Sequence, residues 1–165
     1  MQRSNMFAAI VTFVLAASAS LASVAVAATV PPAGSIDVAS ATCGSFGVPA
    51  AAEGGIVVRN SGDCPLYVKF NPTGRWSYST DRAFVPACGI PYARANLLKY
   101  PNLNLGALAL THDDVYGESV DADKEFVINA HDFVLLQFND IPGQYGDNQG
   151  AISVEWTTST QPMNP

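Results

Sequence analysis

Residues 133–157 read FVLLQFNDIPGQYGDNQGAISVEWT: two strand-like runs joined by residues whose chemistry favours turns. In the second run Ile152, Val154 and Trp156 alternate with Ser153, Glu155 and Thr157, the two-residue period of a strand with one buried and one wet face. The first run is apolar on both faces until Gln137, which predicts a strand in the middle of a sheet. Nowhere does the chain hold an amphipathic helical period for three turns, and short β-rich runs recur between Gly, Pro, Asn and Asp. The expected fold class is all-β.

Working outward, further strands are predicted around residues 36–41, 55–59, 66–70, 75–79, 107–111 and 125–128. Short strands separated by turn signals, without a fixed repeat, predict a small jelly-roll-like β-sandwich rather than a solenoid. Residues 85–105 fit no strand. They hold Pro86, Pro91 and Pro101 with Tyr92 and Tyr100, and a long loop of this kind is a candidate second wall of a site. Trp76 and Trp156 lie in strand patterns and are assigned to the core rather than to a binding surface.

At the N-terminus Arg3 precedes an apolar run, residues 6–17, and small residues lead to Ala25, Val26 and Ala27. This is the pattern of a signal peptide, residues 1–27, with an apolar core shorter than the ~20 residues of a membrane-spanning helix. A secreted or periplasmic protein follows. Residues 28–35, with Val30, Pro31, Pro32 and Gly34, read as a flexible lead, and residues 36–165 as a single domain with one core. The formal charge is −6 and the eight basic residues are scattered, so the footprint of a nucleic-acid-binding surface is absent. Cys43, Cys64 and Cys88 in an oxidising compartment predict one disulfide of unassigned pairing and one buried thiol; without C-x-x-C, redox and zinc roles have little support.

The chemistry concentrates in residues 139–150. Asn139, Asp140, Gln144, Asp147, Asn148 and Gln149 supply oxygens, while Pro142-Gly143, Gly146 and Gly150 let the backbone bend. Calcium takes about six to eight oxygen ligands, and a short loop delivers them only if carbonyls can turn inward. Asp140 and Asp147 would give charge, Asn148 an amide oxygen and the main chain the rest. The D-x-D-x-D-G pattern of an EF-hand is missing. An ordinary polar connection between two strands uses the same residue types, so composition alone leaves both readings open.

Residues 139–154, NDIPGQYGDNQGAISV, closely resemble the signature NDVPGTYGNNSGSFSV of the LecA (PA-IL-like) family of galactophilic bacterial lectins. Fainter fragments follow the family's order: Asn60 to Asp63 before a strand, GRWSY at residues 74–78, and Gly106-Ala107-Leu108 after an irregular loop. The resemblance implies a jelly-roll sandwich that binds one Ca2+, with the metal coordinating two vicinal hydroxyls of a galactose. It implies Asp140 as the main carboxylate ligand, a main-chain carbonyl from Gln144, side chains from Asp147 and Asn148, and a main-chain oxygen from Tyr78. Asp147 stands where the signature has Asn, which adds a carboxylate to the loop.

On the sugar side, Asp140, Asp147, Asn148 and Tyr78 would meet the ligand with the metal, and Ile141 would form an apolar edge. Tyr100-Pro101 stands where the family has a His-Pro element, and Leu103 where a glutamine follows it. An aromatic ring in place of an imidazole can pack on the C–H face of a sugar, so Tyr100 and Pro101 are the expected second wall. Weak single sites would call for several per assembly, a homo-oligomer. The competing reading is an exported structural or adhesive domain whose calcium only pins the loop.

Other signals are weaker. The acidic stretch Asp113, Asp114, Glu118, Asp121, Asp123 and Glu125 reads as a solvated connection. His112 and His131 sit in no metalloprotease or hydrolase motif, and Asp140 with Asp147 on one tight loop suits a metal better than a glycosidic bond, so no enzyme is expected.

Overall fold

The computed structural model describes residues 32–122 and 124–163. The expected signal peptide and residues 28–31 of the expected lead lie outside the described residues. The strands are β1 (Gly34–Asp37), β2 (Cys43–Pro49), β3 (Ile56–Arg59), β4 (Leu66–Ser77) and β5 (Cys88–Ile90), then β6 (Leu105–Thr111), β7 (Glu118–Ser119), β8 (Glu125–Ile128), β9 (Phe133–Phe138) and β10 (Gln149–Ser159). One sheet runs β1-β3-β9-β6-β5, with β7 also pairing β6; the other runs β2-β10-β4-β8. Only β1 with β3 is parallel among these pairs. Among the described residues no helix is long and apolar enough to cross a membrane.

The two apolar faces meet in a β-sandwich core. Val58, Leu108, Leu110, Val134 and Leu136 come from one sheet, and Val48, Val68, Phe70, Ile152 and Val154 from the other. β10 buries Ile152, Val154 and Trp156 while Ala151, Ser153, Glu155 and Thr157 face solvent, as its alternation predicts. Each such apolar side chain contributes on the order of 1.5–3 kcal/mol on burial. β9 lies between β3 and β6 inside its sheet; Val134, Leu136, Gln137 and Phe138 are buried, while Leu135 is half-buried and Phe133 at its start is exposed. Trp76 is also in the core, its ring edge-on to Phe138 at 4.5 Å and its indole N–H donating to the Gly106 carbonyl at 2.8 Å.

Several boundaries differ from expectation. The first strand begins at Gly34, two residues before the expected domain start, where β1 finds β3 as a partner. Residues 38–40, expected as strand, form a 3-10 turn capped by the Asp37 side chain, which accepts from the Ala39 N–H at 3.0 Å. β2 reads CGSFGVP and looks like a loop in sequence; Gly44 is needed because a Cβ there would stand 2.9 Å from the Trp156 ring on the neighbouring strand. The runs expected at 66–70 and 75–79 form one strand, β4, passing through Pro72. Proline is tolerated because β8 pairs only with residues up to Lys69, so β4 is an edge on that side at Pro72.

The expected disulfide does not form: Cys43, Cys64 and Cys88 are all free and exposed. Cys43 begins β2 at the edge of one sheet, Cys88 begins β5 at the edge of the other, and Cys64 lies between β3 and β4. The sandwich sends them to separate places, whereas a bridge needs Cα atoms about 4.4–6.8 Å apart. The expected buried thiol is absent for the same reason.

Candidate functional site

The loop that joins β9 to β10 is fastened at both ends. At its start Asn139 is fully buried and clamps residues 100–104: its Oδ1 accepts from the Tyr100 N–H at 2.9 Å, and its Nδ2 donates to the carbonyls of Tyr100 and Asn104 at 3.0 and 2.9 Å. Its backbone continues the pairing with β6 through the Ala107 carbonyl and the Gly106 N–H. Asn139 is thus a clamp rather than a ligand. Beyond it, Pro142-Gly143 makes a tight turn closed by the Gln144 N–H on the Ile141 carbonyl at 3.0 Å; Gly143 takes φ +81, the positive value a type II turn requires at this position. The Gly143 N–H also donates to Glu53 Oε1 at 2.9 Å.

A 3-10 turn, Tyr145–Asp147, follows. Tyr145 is buried, packs edge-on to Phe138 and donates its hydroxyl to the Phe138 carbonyl at 3.0 Å, which anchors the middle of the loop to β9. At the far end Asn148 donates Nδ2 to the Ala50 carbonyl at 3.1 Å. These bonds leave two oxygens over. Asp140 Oδ2 and Asn148 Oδ1 are buried without hydrogen-bond partners, although Asp140 Oδ1 accepts from the Ile141 N–H at 2.7 Å. Burial pushes the Asp140 carboxyl above its ordinary range; the Ile141 N–H and the Asn148 amide oppose this, and the nearby Asp147 charge adds to it.

Sheet register supplies the opposite side. The last pair between β4 and β10 is Ser77 with Gln149, so one step further lie Tyr78 and Asn148. Tyr78, Asp140, Ile141 and Gln144 border one cavity of about 400 Å3. Thus residues from two separate sequence regions, expected together from the sequence, are brought together. Asp147 is exposed on the loop, close enough to Asp140 to act on its charge.

Fitness for calcium follows from the donors. Two buried oxygens are unpartnered, a second carboxylate is near, and Gln144 of the turn borders the same cavity as Asp140. No group of three His, Cys, Asp or Glu side chains occurs among the described residues, so what the loop offers is amide, carbonyl and carboxylate oxygen. That set suits a hard cation such as Ca2+ rather than zinc.

The expected second wall is corrected. Tyr100 is completely buried, and Gly117 lies flat against its ring, where an added Cβ would come within 2.6 Å. Its hydroxyl donates to Asp114 at 2.7 Å and accepts from Gln137, while Lys99 Nζ meets Asp114 at 2.8 Å. A ring so enclosed has no face to offer a sugar, and Pro101, though exposed, is not on the cavity. Asp114 in turn is not merely solvated: burial raises its pKa, but the bonds from Lys99, Tyr100 and Gln137 outweigh that and hold it below its ordinary value.

The aromatic side chain from residues 85–105 that does reach the cavity is Tyr92, with Ile90, Pro91 and Leu105 beside it. Arg82 joins from the loop after β4. The sequence reading named Tyr92 in a candidate wall without assigning it a contact, and missed Arg82. Tyr92 sits in the loop already marked as a candidate wall, and Arg82 lies four residues beyond Tyr78, so proximity in sequence was the available signal.

No family model matches the chain, and no curated protein matches it. Among solved structures it is similar to one described as "EclA N-terminal domain; PllA-like lectin", with 19% identity over 70% of this chain and 95% of that chain, and a TM-score of 0.49.

Proposed function

We propose that this chain is a calcium-dependent carbohydrate-binding protein, a lectin, exported by its N-terminal segment and without catalytic turnover. The observation that carries this reading is the pair of buried, unpartnered oxygens, Asp140 Oδ2 and Asn148 Oδ1, on a loop bordering an open cavity. Leaving such a group unsatisfied costs about 1–3 kcal/mol, more for a charged one, and a divalent cation between them removes the cost. When bound, calcium supplies positive charge and open coordination positions for a pair of sugar hydroxyls.

The chain's own residues do the rest. Ala50 orients the Asn148 amide so that its oxygen is the free end. The Ile141 N–H fixes one Asp140 oxygen and leaves the other available; Gln144 and Tyr78 border the same cavity, and the Gln144 carbonyl and a Tyr78 main-chain oxygen would complete the set. Ile141 gives an apolar edge, and Tyr92 offers the ring for a sugar C–H face that Tyr100 does not. A terminal galactose-type sugar, expected from the resemblance of residues 139–154, is the first ligand to test, and a homo-oligomer would raise the affinity of weak single sites.

A second reading keeps the cation but not the sugar. The loop is tied to Glu53, Ala50 and the Lys99 N–H, so an ion there would also fasten one end of the sandwich. A glycan array run with calcium and with EDTA separates the two. Calcium-dependent glycan signal, lost together with calcium binding in Asp140→Ala, supports the lectin. A blank array from a protein whose melting still rises with calcium would leave only the structural role.

A further inference from the structure

The loop after β4 is organised by one hydroxyl. Ser77 is fully buried, and its Oγ reaches the carbonyls of Ser79 and Arg82 at 2.7 and 3.1 Å, while the Arg82 N–H returns to the Ser79 carbonyl at 3.3 Å. Winding residues 77–82 about this point puts Tyr78 and Arg82 together on the cavity that Asp140 borders. The backbone of Arg82 is therefore held in place. Its guanidinium is not: Nε stands 3.7 Å from Asp81 Oδ1, beyond hydrogen-bond length, with the two side chains 60% and 74% exposed. An exposed pair of this kind contributes about 0–1 kcal/mol. Other cations nearby are engaged, Arg75 by the Phe84 carbonyl at 2.5 Å and Lys99 by Asp114.

We propose that Arg82 determines ligand specificity, and that the preferred ligand is an acidic saccharide bearing a carboxylate or a sulfate. Its hydroxyls take the Asp140 side of the cavity and its anion takes the guanidinium. This rests on the cation-assisted sugar reading above and narrows it. The planar guanidinium fork matches both anions in a bidentate way, and such charge-assisted hydrogen bonds are roughly twice as strong as neutral ones. Ile90 and Leu105 line the same cavity and offer apolar surface to the sugar's C–H groups. A neutral sugar leaves the guanidinium to water. Without calcium, Asp140 and Asp147 repel an anion, so acidic sugars should depend on the cation even more than neutral ones do.

The test is calorimetry on the full chain with D-galactose, D-galacturonic acid and D-galactose 6-sulfate, and with the matching glucose series, in calcium and in EDTA. In calcium the acids should bind up to roughly fivefold tighter than their neutral parents, the gain expected of one contact to a largely exposed guanidinium. The two acid series show which anion is preferred. Arg82→Gln should bring the acids to within about twofold of the neutral sugars, and Arg82→Lys should keep part of the preference. Calcium should still raise the melting temperature of Arg82→Gln, because the backbone of residue 82, not its side chain, shapes the loop. Equal binding of acidic and neutral sugars, or a preference that survives Arg82→Gln, overturns the proposal and leaves the lectin reading standing. Calcium-dependent melting with no sugar bound overturns both.

Discussion

Asp140→Asn should change the stability of this protein in opposite directions with and without calcium. The carboxylate is 4% exposed, one oxygen has a single N–H donor, the other has none, and Asp147 repels it. An amide removes the buried charge and with it the cost of holding an unsatisfied carboxylate oxygen. The gain is about 1–3 kcal/mol in EDTA at pH 7, several degrees in melting temperature for a domain of this size. In calcium at about a hundred times its dissociation constant, the parent gains about 2.7 kcal/mol while the variant gains little, and at about a thousand times, where the parent gains about 4.1 kcal/mol, their order reverses.

The pH dependence has a definite sign. The folded carboxyl titrates above its unfolded value, so in the cation-free protein Asp140 costs stability progressively as pH rises from about 3.8 through its folded value. The advantage of Asp140→Asn in EDTA should therefore shrink as pH falls through the folded value of Asp140 and the carboxyl takes up its proton. Differential scanning calorimetry of parent and variant, in EDTA and calcium at pH 4 and 7, reads all of this. Equal calcium shifts in the two proteins, or a variant no more stable than its parent in EDTA at pH 7, would refute the assignment of Asp140 as the central ligand.

Asp114→Asn should lower stability at pH 7 by about 1 kcal/mol, a figure already reduced for the half-exposed Lys99 pair. Asp114 titrates below its unfolded value, so this stabilisation is complete above pH 3.8 and fades as pH falls through the folded value; urea midpoints of the two proteins should converge in acid. Gly117→Ala places a methyl 2.6 Å from the Tyr100 ring and should cost about 1–3 kcal/mol by the same measurement, without changing sugar affinity at permissive temperature. Tyr92→Ala should weaken sugar binding by about two- to tenfold in calorimetry while the calcium-induced rise in melting temperature remains; unchanged sugar affinity would remove Tyr92 from the wall.

How far the sequence alone reached is clearest at particular residues. The alternation of Ile152, Val154 and Trp156, the apolar run that puts β9 inside its sheet and the Pro142-Gly143 turn are local patterns, and each took the form its spacing predicts. The oxygen-rich loop was legible for the same reason: its donors and its bends are neighbours in the chain. Tertiary structure decided what depended on distant partners. Pairing with β10 made CGSFGVP a strand and carried Tyr78 to Asn148. The Asp114, Gln137 and Lys99 side chains drew Tyr100 inward, an outcome invisible in the dipeptide Tyr100-Pro101 because an aromatic ring serves equally as wall or as core. Ser77, one buried hydroxyl, set Arg82 on the cavity, and the two sheets kept the three cysteines apart. Local periodicity fixes which face a residue takes. Only the closing of two sheets on each other fixes what it faces.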